Sequence, residues 1–174
     1  MDGERESAVK QILGPGFDPA GDSRAFRHAL GAFATGVTVV TTHTPEGPLG
    51  LTVNSFASVS MEPPLLLWCP AKWSKRYAAF AGARHFAIHV LGAEQKAIAD
   101  GFSRDGGAFG ELDWAADGNG VPLIGGVLAR FVCETWAAHD AGDHAIIVGR
   151  VTEAARAEGP GLVFHGGTWG RFSG

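Results

Sequence analysis

At 174 residues, with 45% apolar and 18% charged side chains, the chain can bury one sizeable core and is too apolar for disorder. A net charge of −4 without a basic run argues against a nucleic-acid role. No apolar stretch reaches membrane-spanning length, and the charged start Met1-Asp-Gly-Glu-Arg-Glu-Ser7 lacks a signal-peptide core, so no membrane contact and a cytoplasmic location are expected.

Residues 1–21 are polar and carry Gly14-Pro-Gly16 and Pro19-Ala-Gly21, which reads as a flexible N-terminal arm before a single domain over 22–174. Asp22 or Ser23 can cap a short helix whose Phe26, Leu30 and Phe33 share one face and which Gly36 ends. Val37–Thr42 reads as a strand, Pro45-Glu-Gly47 as a turn, and Gly50–Ser60 as a second strand pairing back on the first. Pro63-Pro64 ends that strand. Leu65–Trp68 is a continuous apolar run expected as a buried strand, and a short helix is expected to start at Lys72-Trp-Ser-Lys-Arg-Tyr77.

Phe86, Ile88 and Val90 alternate along another strand, Glu94–Phe102 is helical, and the Gly-, Asp- and Asn-rich 103–122 reads as a long loop. Val127–Trp136 and Ala145–Thr152 are two further strands, and Leu162–Phe164 with Thr168–Phe172 form a closing hairpin around Gly166-Gly167. Twenty-six glycines and many short strands with few short helices imply a mainly β fold, a closed or partly open antiparallel barrel. No GxGxxG stands at a strand-to-helix junction, so a nicotinamide needs some other site.

Three segments can carry chemistry. Gly50-Leu-Thr-Val-Asn-Ser-Phe-Ala-Ser-Val-Ser60 alternates small polar with apolar residues. Its Thr52, Asn54, Ser55 and Ser58 form either an ordinary solvent-facing strand or a hydrogen-bonding row for the heteroatom edge of a flavin. Lys72, Ser74, Lys75 and Arg76 form either a solvated charged face or an anion site at a helix start. In His139-Asp-Ala-Gly-Asp-His144, Gly142 permits a tight turn and Asp143 can fix the tautomer of His144; this is either a plain hairpin turn or a ligand-facing imidazole.

Other candidates point to structure. Cys69 and Cys133 read as buried reduced thiols. His85 and His89 read as partly exposed strand residues, and with HExxH absent no metal site is expected. GxSxG is absent as well, so a serine hydrolase lacks its local signal.

In order and spacing, several segments together resemble one family. They are Phe26-Arg27 leading to Thr35–Thr41, Gly50–Ser60 with Pro63-Pro64-Leu65, Phe102, Gly142-Asp-His144 with Gly149-Arg-Val151, and Phe164-His-Gly-Gly-Thr-Trp169. The family is the short flavin reductases, the flavin reductase-like branch of the split-barrel flavin-binding fold, which supply reduced flavin to two-component monooxygenases. The resemblance runs from about Phe26 to Phe172. It implies a homodimer of split β-barrels, one flavin per subunit near the interface, with FMN or FAD reduced by NADH, NADPH being possible.

By position it puts Thr52, Asn54 and Ser55 along the isoalloxazine and ribityl chain. It puts Ser58, Val59 and Ser60 with Ala71, Lys72 and Ser74 near the ribityl phosphate, Phe102 and Ser103 at the flavin's border, and His144 on the nicotinamide side as the catalytic candidate. Trp169 stands where relatives often have Tyr. A partner monooxygenase receiving the reduced flavin is expected. The competing expectations are a non-catalytic flavin-binding or sensing module and, ranked lower for want of an arginine-rich phosphate pocket, a pyridoxine-phosphate oxidase.

Overall fold

Two strands of thirteen residues each, β9 (Ala129–Ala141) and β10 (His144–Arg156), form the long hairpin around which the other strands assemble. In this computed structural model, which describes residues 15–173, Gly142 opens the two-residue loop between them at φ 69°, a conformation that glycine adopts without strain. Register shifts at Val148/Gly149 and Val151/Glu153 bend the pair. At the first of these, a Cβ on Gly149 would stand 2.5 Å from the Phe86 ring, so only glycine lets the core close there.

Antiparallel neighbours extend the hairpin on both sides. β6 (His85–Val90), β2 (Thr38–Thr44) and β3 (Gly47–Val53) follow on the β9 side, and β5 (Pro64–Trp68) and β4 (Ala57–Met61) on the β10 side, giving the order β3-β2-β6-β9-β10-β5-β4. The outer strands β3 and β4 are consecutive in sequence, joined only by Asn54-Ser55-Phe56. Four peptide steps span at most about 14 Å. The two edges must therefore approach each other, and the sheet curls into a barrel left open between β3 and β4. This is the expected split barrel.

The expected single strand Gly50–Ser60 is thus two strands on opposite rims of the split. Its alternation is also broken, because Ala57, Ser58 and Val59 are all exposed and β4 bulges between Ser58 and Ser60.

One core cluster gathers Val40, Leu66, Trp68, Phe80, Phe86, Ile88, Cys133 and Ile147. A second gathers Val37, Val39, Leu91, Phe102, Phe109, Ile124 and Leu162, with Ala99. β2 divides its valines between the two with strand periodicity. Buried on both faces, it satisfies its hydroxyls with carbonyls: Thr38 donates to Val53, Thr41 to Pro122 and Thr42 to His85.

Helices pack at the margins. α1 (Ser23–Gly31) is capped by Asp22, which accepts from the Ala25 N–H at 2.9 Å. It ends at Gly31, short of the expected Gly36, and Phe26, Leu30 and Phe33 lie exposed on the surface. α2 is only Tyr77–Ala81. The helix expected from Lys72 starts five residues later, because Lys72 pairs through its backbone with Asp143 instead. α3 (Lys96–Arg104) follows a 3₁₀ turn at Ala93–Gln95, near the expected span.

The expected loop 103–122 contains β7 (Trp114–Ala116), which pairs with β8 (Pro122–Ile124). A short β1 (Thr35–Gly36) joins β11 (Gly161–His165) and β12 (Thr168–Phe172) in a separate sheet, the expected closing hairpin turning at Gly166 and Gly167. Of the expected arm, residues 1–14 lie outside the described residues, and 15–21 are exposed. Among the described residues no helix is long and apolar enough to cross a membrane.

His89 overturns the expectation of a partly exposed strand histidine. It is fully buried, Nδ1 lies 3.0 Å from the Val39 carbonyl, and Nε2 accepts from the Ile124 N–H at 3.1 Å. The imidazole thus bolts β8 to the centre of the sheet. Burial pushes its pKa from 6.5 down to about 4. The unfolded chain then binds the extra proton between those values, so this contribution to stability is full above 6.5 and is lost as pH falls toward 4. The expected loss is about 2 kcal/mol between about pH 7.5 and pH 5. Urea unfolding at the two pH values measures it, and a His89→Gln variant should lose that part of the slope; an equal slope in both proteins would assign the pH dependence elsewhere.

Candidate active site

Where the split opens, three pieces of chain meet and leave a cleft of about 300 Å³, at the lower end of the size range of ligand sites. The end of β3 and its connector supply Leu51 to Ser55, the turn after β5 supplies Cys69–Ala71, Trp73, Ser74 and Arg76, and Ser103 and His144 close the ends.

Local hydrogen bonds hold each piece. Ser55 Oγ accepts from the Cys69 N–H at 2.9 Å and donates to the Cys69 carbonyl at 3.3 Å, tying the connector to the end of β5. The next residues zip onto the hairpin tip: the Ala145 N–H donates to Pro70 O, the Lys72 N–H to Asp143 O, and Ala71 bridges His144. Lys72 Nζ adds bonds to Asp140 and to the Gly142 carbonyl, and holds the Asp140 carboxyl below its ordinary range.

Arg76 closes the cleft from the opposite side. Its Nη1 donates to the carbonyls of Gly50 and Phe102 (3.0 and 2.6 Å), and its Nη2 to that of Ser103 (3.0 Å). The last two belong to the final turn of α3, whose carbonyls lack helical partners. Gly50 is obligatory here, since a Cβ would lie 2.4 Å from the Phe102 ring.

The hydroxyls of Thr52 and Ser103 donate to Ala99 (2.7 Å) and Asp100 (2.8 Å), so toward a ligand these two, like Ser55, offer lone pairs. The Ser74 hydroxyl accepts from the Arg76 N–H and keeps its proton to donate. Asn54 is exposed, with no side-chain partner among the described residues, and offers both donor and acceptor. Asp143 Oδ1 stands 2.7 Å from His144 Nδ1, which leaves Nε2 for a ligand, and this contact holds the Asp143 carboxyl low. Burial pushes the half-buried Cys69 thiol up, which keeps it protonated.

Of the residues singled out in the sequence, the cleft brings together Thr52, Asn54, Ser55, Ala71, Ser74, Ser103 and His144. Trp169 lines an adjoining hollow of about 190 Å³ that shares Thr52 and Asn54 as its wall; it packs edge-on against Phe164 and lies under Lys96 Nζ. Phe102 is fully buried beneath the cleft. Ser58, Val59 and Ser60 lie on β4 outside it, and Lys72 is engaged by the hairpin tip. Sequence reasoning passed over Trp73, read Cys69 as a buried thiol where it is half-buried in the cleft wall, and placed Arg76 at an anion site without its clamp on Gly50, Phe102 and Ser103. For Trp73 the signal was an aromatic set among charged and polar turn residues.

The flavin reductase like domain model matches residues 30–173. The chain belongs to the flavin reductase-like family. It is 62% identical over 158 residues to the FMN reductase (NADH) SmoA of Agrobacterium fabrum, covering 90% of this chain and 91% of that protein. It is 47% identical to the reductase component of the flavin-dependent trigonelline monooxygenase of Acinetobacter baylyi, over 87% of this chain but only 50% of that longer protein. Among solved structures, the NADH:FAD oxidoreductase SgcE6 of Streptomyces globisporus superposes with a TM-score of 0.84 at 38% identity, covering 91% of this chain and 97% of that one. SgcE6 has also been solved in complex with NAD and FAD fragments.

The Arg76 fork carries the floor of the cleft. Arg76→Ala leaves the partly buried carbonyls of Gly50 and Phe102 and the exposed one of Ser103 without their donor and is expected to cost about 1–3 kcal/mol. Arg76→Lys should recover little of it, because an ammonium lacks the planar fork. Chemical unfolding of both variants measures the loss, and a midpoint equal to wild type for Arg76→Ala would deny the clamp any role.

Proposed function

We propose that this protein is an NADH-dependent flavin reductase that turns over FMN or FAD as a diffusible substrate and hands the reduced flavin to a partner flavin-dependent monooxygenase. The observation that carries the reading is the cleft at the barrel split, where Asn54, Ser74 and His144 present unengaged polar groups around an otherwise internally bonded wall. Supporting it, one relative at 62% identity is named an FMN reductase (NADH), and others are named reductase components of monooxygenases.

The donor set fits a flavin. A heteroaromatic edge that alternates donors and acceptors needs both kinds opposite it, and Asn54 and Ser74 supply donors while Thr52, Ser55 and Ser103 supply lone pairs. Flavin and nicotinamide, when bound, supply the hydride chemistry themselves. The chain's own residues bind and orient. Arg76 places a cation beside the wall and favours negative charge there. Asp143 fixes the His144 ring so that Nε2 faces a ligand at the end of the cleft, which suits positioning the nicotinamide ribose or carboxamide.

Two further parts of the reading concern the surroundings. Phe26, Leu30 and Phe33 on and just beyond α1, and Val59 and Met61 on β4, are exposed apolar side chains that a second copy can cover, which supports a homodimer. Free thiols at Cys69 and Cys133 accord with a cytoplasmic location.

Steady-state oxidation of NADH and NADPH in air, each crossed with FMN and FAD, tests the activity. Continuous NADH consumption with either flavin is expected; flavin binding without turnover would leave a storage or sensing module instead. His144→Ala should raise the apparent KM for NADH roughly tenfold, the loss of about one hydrogen bond, while flavin affinity changes much less. The opposite split, with flavin binding lost and NADH kinetics intact, would move His144 to the flavin.

A further inference from the structure

We propose that Trp73 is the platform on which the adenine of an adenine dinucleotide stacks at the rim of the cleft, an inference that rests on the flavin-reductase reading of that cleft. Trp73 lines the cleft yet is 80% exposed, an unusual position for the largest apolar side chain. Its backbone is not free to fold the ring away. The preceding residue pairs with Asp143 and anchors its ammonium on Gly142 O, the Ser74 N–H bonds to Ala71 O, and two residues later the Arg76 fork grips Gly50, Phe102 and Ser103. An indole carried on an anchored backbone and standing in water at the mouth of a ligand cleft offers a stacking surface whose position is set by that turn.

Size and chemistry decide what stacks there. A cleft of about 300 Å³ is at the small end for ligand sites, so it suits the reacting rings, and the adenine end of a dinucleotide reaches over the rim. The free polar groups of Asn54, Ser74 and His144 lie within the cleft, where a hydrogen-bonding ring edge belongs. At the rim the ring offered is aromatic, which suits adenine's π face and needs no hydrogen-bond match. Lys75, on the same turn but outside the cleft lining, is exposed and makes no ion pair among the described residues, so it leaves a free cation on the segment that carries Trp73.

FAD and NADH both carry adenine, and their truncated forms separate the two sources. Affinities for FMN and FAD, and apparent KM values for NADH and reduced nicotinamide mononucleotide, are measured on wild type, Trp73→Ala and Trp73→Phe. If the adenine is that of FAD, Trp73→Ala lowers the preference for FAD over FMN by about fivefold to a hundredfold, the range for base–aromatic stacking. If it is that of NADH, the preference for NADH over the mononucleotide falls by the same factor. In either case Trp73→Phe retains most of the preference.

Both preferences unchanged, or all four ligands weakened equally, overturns the proposal. So does a change in subunit assembly of Trp73→Ala on gel filtration, which would mean that another copy of the chain covers the ring. A wild-type protein that binds neither flavin removes the flavin reading together with this one, whereas unchanged preferences in a flavin-binding wild type remove the stacking alone.

Discussion

The connector Asn54-Ser55-Phe56 is the constraint from which the site follows. It joins strands at opposite ends of a seven-strand order, so the sheet has to curl until its edges are within reach of three residues. Ser55 then fastens the crossing to the end of β5 through both hydrogen-bonding capacities of one hydroxyl. β5 leads directly into the segment that zips onto the β9–β10 tip. The rim of the split, the exit of β5 and the hairpin turn are therefore brought to one place by covalent connectivity and a handful of bonds. The cleft lies where the sheet cannot close, and its backbone carbonyls are met by the Arg76 guanidinium.

The same bonds shape what the cleft can hold. Most hydroxyls along its wall already donate to carbonyls of the fold, which leaves the Asn54 amide, the Ser74 proton and His144 Nε2 as its free polar equipment. A neutral hydrogen bond contributes about 0.5–1.5 kcal/mol net, and micromolar binding corresponds to about 8 kcal/mol. A few such bonds do not trap a ligand, and burial of the ring face has to supply most of the affinity. For a protein proposed to release its reduced flavin, that balance is the useful one. The bonds set orientation, and among the described residues no buried ion pair lines the cleft to oppose dissociation.

Much of this was legible in the sequence, and what was missed has physical causes. Element type followed from the β-branched run of β2, the continuous apolar run of β5, the alternation of β6 and the Gly166-Gly167 turn of the closing hairpin, and the Asp22 cap and the Gly142 turn rest on local chemistry that a sequence displays directly. The break at Asn54 was invisible because Thr, Asn and Ser alternating with apolar residues looks the same whether the strand continues or changes partners. The helix expected from Lys72 lost to a tertiary pairing with Asp143, which no local signal announces. His89 was misjudged because a strand histidine is accommodated in a core only when both ring nitrogens find partners, here Val39 and, from far along the chain, Ile124. In the site, the residues presented by the connector and the hairpin tip were readable. Arg76 was not, since its clamp depends on where α3 ends in space.

Stability and selectivity reside in different residues. The two core clusters, the His89 bolt and the Arg76 fork hold the barrel and the floor of the cleft, and a change at any of them propagates into the fold. The rim contributes almost nothing to burial: Asn54, Trp73 and Lys75 are exposed, and His144 is half-exposed on a hairpin tip. Substitutions there act on ligands without first acting on folding, because surface changes away from buried contacts cost little. One barrel can therefore serve different flavins and nicotinamides by varying its rim.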